Sequence, residues 1–512
     1  MKNALPILFI LSLTIAITLS SLTGETVKAQ TDEISWSNPI NVSQSPGMTS
    51  TDPFLLADPA GIAHLFWAEK VMTFAGNVPD TVMYSSWDGS TWSKPVDIFF
   101  SPQSDGNPVV THPNAVLDDR GWIHLIWLSQ PNFPNYTLNY SSVPSWLASS
   151  PQAWQPRAVL ADNLSGTEYS IHMAYNPSQG IHVAYAKGAL AENIKSGRAV
   201  TSIYSLDYGY TWSEPVDLIT FPDLNYGASC VRLILVNPNE VFVSWTVWDL
   251  SGNGQAILIA RSLDNGETWD KPTSLAERSG DEYERDWNNL VSLGDNSLAS
   301  FYEGGWRAYH YARYSDDNGV TWSAPIDTFP WLIGENGFAE FARDSNGTLH
   351  LFIAKRIREG NVERGDLIGM WHSVWEGGTS WREPALAGDI YSMVNPKAVI
   401  VGGNRVVAAF YDHQVLEMMV MTGVIENAPP LELVQWPVNA AEPTNAPTSQ
   451  ISTQEPTPTP EPAAAGYQGS QSPPSDFLSN PGAGVLLGAI PALIFMAIVV
   501  YIQRQRQSQR SG

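Results

Sequence analysis

Scattered along the chain, in turn-rich stretches beside apolar runs, stand side chains whose types suit sugar chemistry. Asp52, Glu168 and Glu303 are carboxylates and Tyr169 is a phenol. A carboxyl pair, or a phenol with a carboxylate, acts as acid, base or nucleophile at a glycosidic bond when both reach one pocket. Arg285, Arg307 and Arg356 have the guanidinium fork that clamps an anion. His112, Trp127, Trp248 and Trp306 offer an imidazole and aromatic faces on which a sugar ring stacks. The first four are the catalytic candidates and the other seven the ligand-binding ones. The competing reading of each is a solvated loop charge or a structural contact. No H-E-x-x-H, EF-hand loop, P-loop or G-x-S-x-G elbow is present, and neither cofactor nor metal is expected.

These residues must be positioned by a repeated strand unit. Apolar runs recur at Ile62–Trp67, Ile123–Trp127, Ile181–Tyr185, Val241–Trp245, Leu298–Tyr302, Leu349–Ile353 and Val406–Phe410. A second register runs through Trp36, Trp92, Trp154, Trp212, Trp269, Trp322 and Trp381, at spacings of 56, 62, 58, 57, 53 and 59 residues. A period of about 57 residues with four short strands per unit predicts an all-β fold, a β-propeller. The candidates lie where inner strands begin and second strands end, the face on which propeller sites form. The last unit, with an inner strand near Lys397–Val401, lacks a Trp-led outer strand, and Trp36 has no unit before it. Residues Trp36–Ile40 are therefore expected to supply that strand and remove a free sheet edge. His64, His124, His182 and His350 share one strand position, which predicts a packing role repeated in several units.

Three stretches, Ser205–Trp212, Ser262–Trp269 and Ser315–Trp322, read Ser-x-Asp-x-Gly-x-Thr-Trp, each with Pro three residues later. Asp bonds downstream backbone N–H groups, Gly accepts positive φ, and Thr-Trp opens a strand. Two further copies are degraded, at Ser85–Trp92 and Ser373–Trp381. On these motifs the chain resembles the Asp-box (bacterial neuraminidase repeat) propellers of the sialidase-like superfamily. The resemblance implies boxes on the outer rim, without catalytic role. It also implies a sialidase kit: three arginines on a substrate carboxylate, a Tyr nucleophile with a Glu partner, and an Asp acid/base. Sialidases have six blades, whereas the repeats here favour seven, with six as the alternative. Their Arg-Ile-Pro-like start motif is missing, since Gly47 to Pro59 contains no Arg. The reading is thus a module that binds glycans or another surface ligand. The alternatives are a sialidase-like exo-glycoside hydrolase and a protein-interaction scaffold.

The ends place the domain. Residues 1–29 read as a signal peptide, 30–426 as the propeller, and 427–481 as a Pro/Thr/Ser-rich extracellular linker. Residues 482–502 carry no charge and suit a transmembrane helix, and Arg504, Arg506 and Arg510 in the tail 503–512 set a cytoplasmic C-terminus. The expected partners are therefore an extracellular ligand and the membrane. A net charge of −24 over 512 residues gives nucleic-acid phosphates no basic surface. The single cysteine, Cys230, excludes an internal disulfide.

Overall fold

The computed structural model describes residues 34–71, 81–100, 110–132, 135–164, 170–189, 197–278, 285–304, 309–333, 339–359, 362–388, 393–412 and 414–436. The expected signal peptide, most of the linker, the transmembrane helix and the tail lie outside these residues. Among the described residues no helix is long and apolar enough to cross a membrane.

Period-two apolar patterning yields strands almost throughout. β1 (Ile34–Trp36) and β2 (Ile40–Asn41) precede a meander of β3 (Met48–Asp58), β4 (Ile62–Val71), β5 (Thr81–Trp87) and β6 (Val96–Phe100). The next meander is β7 (Val110–Leu117), β8 (Trp122–Asn132), β9 (Asn135–Pro144) and β10 (Ala158–Leu164). Then follow β11 (Ile171–Asn176), β12 (Gly180–Ala189), β13 (Gly197–Ser205) and β14 (Val216–Thr220). After them come β15 (Tyr226–Val236), β16 (Glu240–Asp249), β17 (Gly254–Ser262) and β18 (Thr273–Glu277). The following group is β19 (Arg285–Gly294), β20 (Ser297–Gly304), β21 (Tyr309–Ser315) and β22 (Ile326–Asp327). β23 (Leu332–Ile333) and β24 (Ala339–Arg343) both pair with β25 (Leu349–Glu359). β25 pairs with β26 (Val362–Gly377), which carries β27 (Ser380–Trp381) and β28 (Ala385–Leu386). β29 (Met393–Val401), β30 (Arg405–Asp412) and β31 (Glu417–Ile425) end the series.

The first strands of successive meanders pack side by side: β3 on β7, β7 on β11, β11 on β15, β15 on β19, β24 on β29, and β29 back on β3. Strands so arranged around one axis form a β-propeller. Its last sheet is completed by the N-terminus, as expected: Ile34, Trp36 and Ile40 stand opposite Ile425, Gly423 and Val420 of β31. Apolar residues fill the space between neighbouring sheets. Trp67, for example, is fully buried in a cluster with Val407 and Met418 across the junction of first and last meanders. Burying one such side chain stabilises the fold by roughly 1.5–3 kcal/mol.

The turns joining first and second strands repeat a polar device. Asp58, Asp118 and Asp344 each accept backbone N–H bonds within the turn and face the His six residues on, His64, His124 and His350, at 3.2–3.4 Å. The other ring nitrogen of each His bonds Tyr84, Tyr140 or His372 on the third strand, at 2.7–2.8 Å. All three imidazoles are at most 1% exposed, so the equivalent histidines are buried packing groups. At the same end sit the Ser-x-Asp-x-Gly-x-Thr-Trp turns. Asp264 accepts from Ser262 Oγ and Thr268 N at 2.8 Å, and Gly266 N donates to Ser262 Oγ at 2.8 Å with φ +86°. These turns also dock on the preceding meander: Asn265 Oδ1 bonds His182 Nε2 at 3.1 Å, and Arg120 lies 3.6 Å from the Tyr208 ring centre.

One boundary is corrected. Residues 427–436, expected to begin the linker, lie on the propeller. The reason is the apolar run Leu431-Glu432-Leu433-Val434-Gln435-Trp436, set just before the polar stretch.

Candidate functional site

Five first strands carry the same irregularity. Asp52, His112, Cys230, Trp287 and Asn395 have φ between 44° and 54°, and each sits inside a register shift, or β-bulge, against the second strand. Positive φ at a non-Gly residue costs of order 1–3 kcal/mol and persists only where the surroundings enforce it. A bulge re-aims the side chains that follow. Two residues beyond these five lie Phe54, Asn114, Arg232, Asn289 and Lys397.

Register extends the set. Phe54, Asn114, His172, Arg232, Asn289, Glu340 and Lys397 pair with Phe66, Ile126, Ala184, Ser244, Phe301, Phe352 and Ala409. Those are equivalent second-strand positions, two beyond the one that holds His64, His124, His182 and His350. The seven side chains therefore form one layer about the axis, and all of them line a cavity of about 420 Å³. This falls inside the roughly 300–1,000 Å³ of small-molecule sites. Asp52 and His112 line the same cavity, with His112 Nδ1 3.6 Å from Asp52 Oδ2.

The layer is polar and densely bonded. Lys397 Nζ is ion-paired with Glu340, at side-chain exposures of 12% and 28%. Burial pulls the Lys397 ammonium below its ordinary value, the Glu340 charge opposes this, and Arg232 adds to it. Asn114 Oδ1 accepts from Met173 N at 3.1 Å, and His172 Nδ1 accepts from Leu233 N at 3.3 Å, so each ties its strand to the next. Burial, helped by the positive charges of Arg232 and Lys397, pushes His172 down to about 3, so it is a neutral acceptor. The Asn289 amide is best turned to bond Ala339 N (3.0 Å) and Ala339 O (3.2 Å). The opposite orientation accepts from Arg232 Nε at 3.3 Å but leaves the Ala339 pair unmatched. Phe54 is the one apolar member. Such a layer offers donors, acceptors and two cations to a hydroxylated or anionic ligand, with a ring face to one side.

The candidates named from sequence divide accordingly. Asp52 and His112 line the cavity. Trp127 is corrected: it is 1% exposed, with Phe99 stacked at 4.2 Å, because its strand alternation turns it into the core. Trp248, 9% exposed, packs edge-on to Trp287 at 6.2 Å beside Cys230, and it too is a packing residue. Glu303 is 2% exposed, opposite Asp286 and His310 in register, and is not among the residues lining the cavity. Arg285 and Arg356 lie in β19 and β25, but their side chains fall outside the described residues. Glu168, Tyr169, Trp306 and Arg307 are also outside them. Sequence reasoning missed Asn114, His172, Arg232, Asn289, Glu340 and Lys397 as site residues. The signal was present for two: Arg232 is a charge inside the apolar run Cys230–Val236, and Lys397 heads the run Lys397–Val401.

No protein-family model matches the sequence, and no curated protein matches it. Solved structures resemble it at low identity. A Dyadobacter fermentans protein of unknown function is 12% identical at TM-score 0.48, over 77% of this chain and 99% of that one. The Hadza microbial sialidase Hz136 is 12% identical at TM-score 0.44, over 74% and 66%. An alpha-L-arabinanase of Penicillium chrysogenum is 14% identical at TM-score 0.42, over 64% and 97%. At these values the likeness carries no argument about function.

Proposed function

We propose that this chain is a seven-bladed β-propeller that binds a glycan, or a chemically similar hydroxylated ligand, in its axial cavity without turning it over. The observation that supports this is the register-defined layer of Phe54, Asn114, His172, Arg232, Asn289, Glu340 and Lys397 lining one cavity. Binding is favoured over hydrolysis because the carboxylate of the layer, Glu340, is ion-paired with Lys397. The second reading, a sialidase-like exo-glycoside hydrolase, rests on the Asp52–His112 pair, a carboxylate and an imidazole 3.6 Å apart at the cavity. The proposal includes the ends: residues 1–29 as export signal, 437–481 as linker, and 482–502 as a membrane anchor presenting the propeller outside the cell.

The test uses the full chain, wild type and Arg232→Ala, on a glycan array and against a panel of fluorogenic glycosides, sialosides included. Array binding lost in the variant, without turnover in either protein, supports the binding reading. Turnover that falls in Asp52→Asn and His112→Gln establishes the hydrolase instead. Silence in every assay rejects both.

A further inference from the structure

The segment 427–436 crosses the propeller at the end that carries the repeated turns. It starts against the β24–β25 turn, where Asn346 Nδ2 donates to Asn427 O at 3.0 Å and Ser345 Oγ bonds Pro429 O. It passes the β29–β30 turn, where Leu431 N donates to Gly402 O at 2.8 Å, and the β3–β4 turn, where Val434 N donates to Pro59 O at 3.0 Å. It reaches the β7–β8 turn with the Trp436 ring. Leu431, Leu433 and Trp436 each pack closely on a glycine. A Cβ at Gly403 would stand 2.7 Å from Leu431, one at Gly61 2.9 Å from Leu433, and one at Gly121 2.6 Å from Trp436. The path spans the junction at which the N-terminal strands close on β31, where strand pairing rests on the short β1 and β2.

A local exchange of residues fits Trp436 to its place. In the β7–β8 turn, Arg120 Nε and Nη2 bond Asp118 Oδ2 at 2.7 and 2.6 Å. In the β3–β4 turn the matching residue is Ala60, and the indole of Trp436 donates to Asp58 Oδ1 at 2.8 Å. The turn carboxylate thus takes a further donor in each unit, on Oδ2 from its own turn in one and on Oδ1 from the strap in the other.

We propose that residues 427–436 are an intramolecular clasp that holds the propeller shut across its closing junction. The meanders it joins bear Glu340 and Lys397 on one side of that junction and Asp52, Phe54 and Asn114 on the other. The clasp therefore also fixes the two halves of the axial layer against each other. The inference does not depend on what the cavity binds.

Amide hydrogen exchange on the full chain tests it, with wild type, Leu433→Ser/Trp436→Ala and the single Trp436→Ala. The single change removes only the ring on Gly121 and the indole donor to Asp58 Oδ1, so this variant reports even where the double variant fails to fold. Exchange is expected to rise roughly tenfold or more in 34–41 and 417–425, with 241–247 on the far side unchanged. Unchanged exchange at the junction in Trp436→Ala, or a rise spread evenly over all strands, overturns the clasp.

Discussion

The two ends of the first strands obey opposite rules. At the turn end the same chemistry recurs: Asp58, Asp118 and Asp344 with their histidines, and the Ser-x-Asp-x-Gly-x-Thr-Trp turns. At the axial layer seven equivalent positions hold Phe, Asn, His, Arg, Asn, Glu and Lys, with only Asn repeated. A device needed to fold every sheet is copied into several of them. A surface that recognises one asymmetric ligand must break the repeat. The contrast fits an architectural turn end and supports the proposal that the axial layer is the recognition surface.

The largest effect should come from breaking the turn end. Asp118 has a fully buried side chain and accepts from Arg120, Trp122 and His124. Asp118→Ala leaves those donors unmatched and should cost about 3–5 kcal/mol in denaturant unfolding. Ligand binding by the fraction still folded should not change.

A smaller stability effect, with a large functional one, is expected in the layer. Lys397→Met alone strands Glu340 and should destabilise by about 3 kcal/mol. Lys397→Met with Glu340→Gln should recover most of that loss while ligand binding stays lost. Recovery of binding along with stability would place the pair outside the recognition surface.

Acidification separates the groups further. Burial holds His182 down to about 4 and His172 down to about 3, below the unfolded value near 6.5. Below pH 6.5 the unfolded chain therefore binds more protons, and stability falls as pH drops, by about 1.4 kcal/mol per unit for each such group. His182→Gln should flatten the slope between pH 6.5 and 4. Asp58 and Asp118 are lowered too: burial alone would raise them, but hydrogen bonds and their histidines outweigh it. Their contribution is present above the unfolded carboxylate value and is lost as pH falls through their lower folded values, so final unfolding belongs below pH 4. Stability measured by chemical denaturation across pH 3–7 checks both limbs.

The smallest change should be loss of a single box turn. Asp264→Ala removes side-chain acceptors from one turn and should cost about 1 kcal/mol in thermal unfolding.

What could be read in the sequence follows the same division. The turn end was legible because repetition fixed it: the Trp and apolar-strand registers placed the meanders, the four histidines and the closing strand at Trp36. The axial layer was not, because it places one residue of differing type in each unit, aimed inward by bulges at Asp52, His112, Cys230, Trp287 and Asn395. Aromatic content misled at Trp127 and Trp248, where strand alternation turns the rings into the core. Low complexity after residue 436 hid the short apolar run that precedes it.

The central claim is best tested by comparing ligand binding of the full chain in Arg232→Ala and Asp264→Ala, with folding confirmed for each by near-ultraviolet circular dichroism. The assignment predicts that Arg232→Ala loses the glycan-array signal while folded and that Asp264→Ala keeps it. Binding retained in Arg232→Ala, or lost in a folded Asp264→Ala protein, would contradict it.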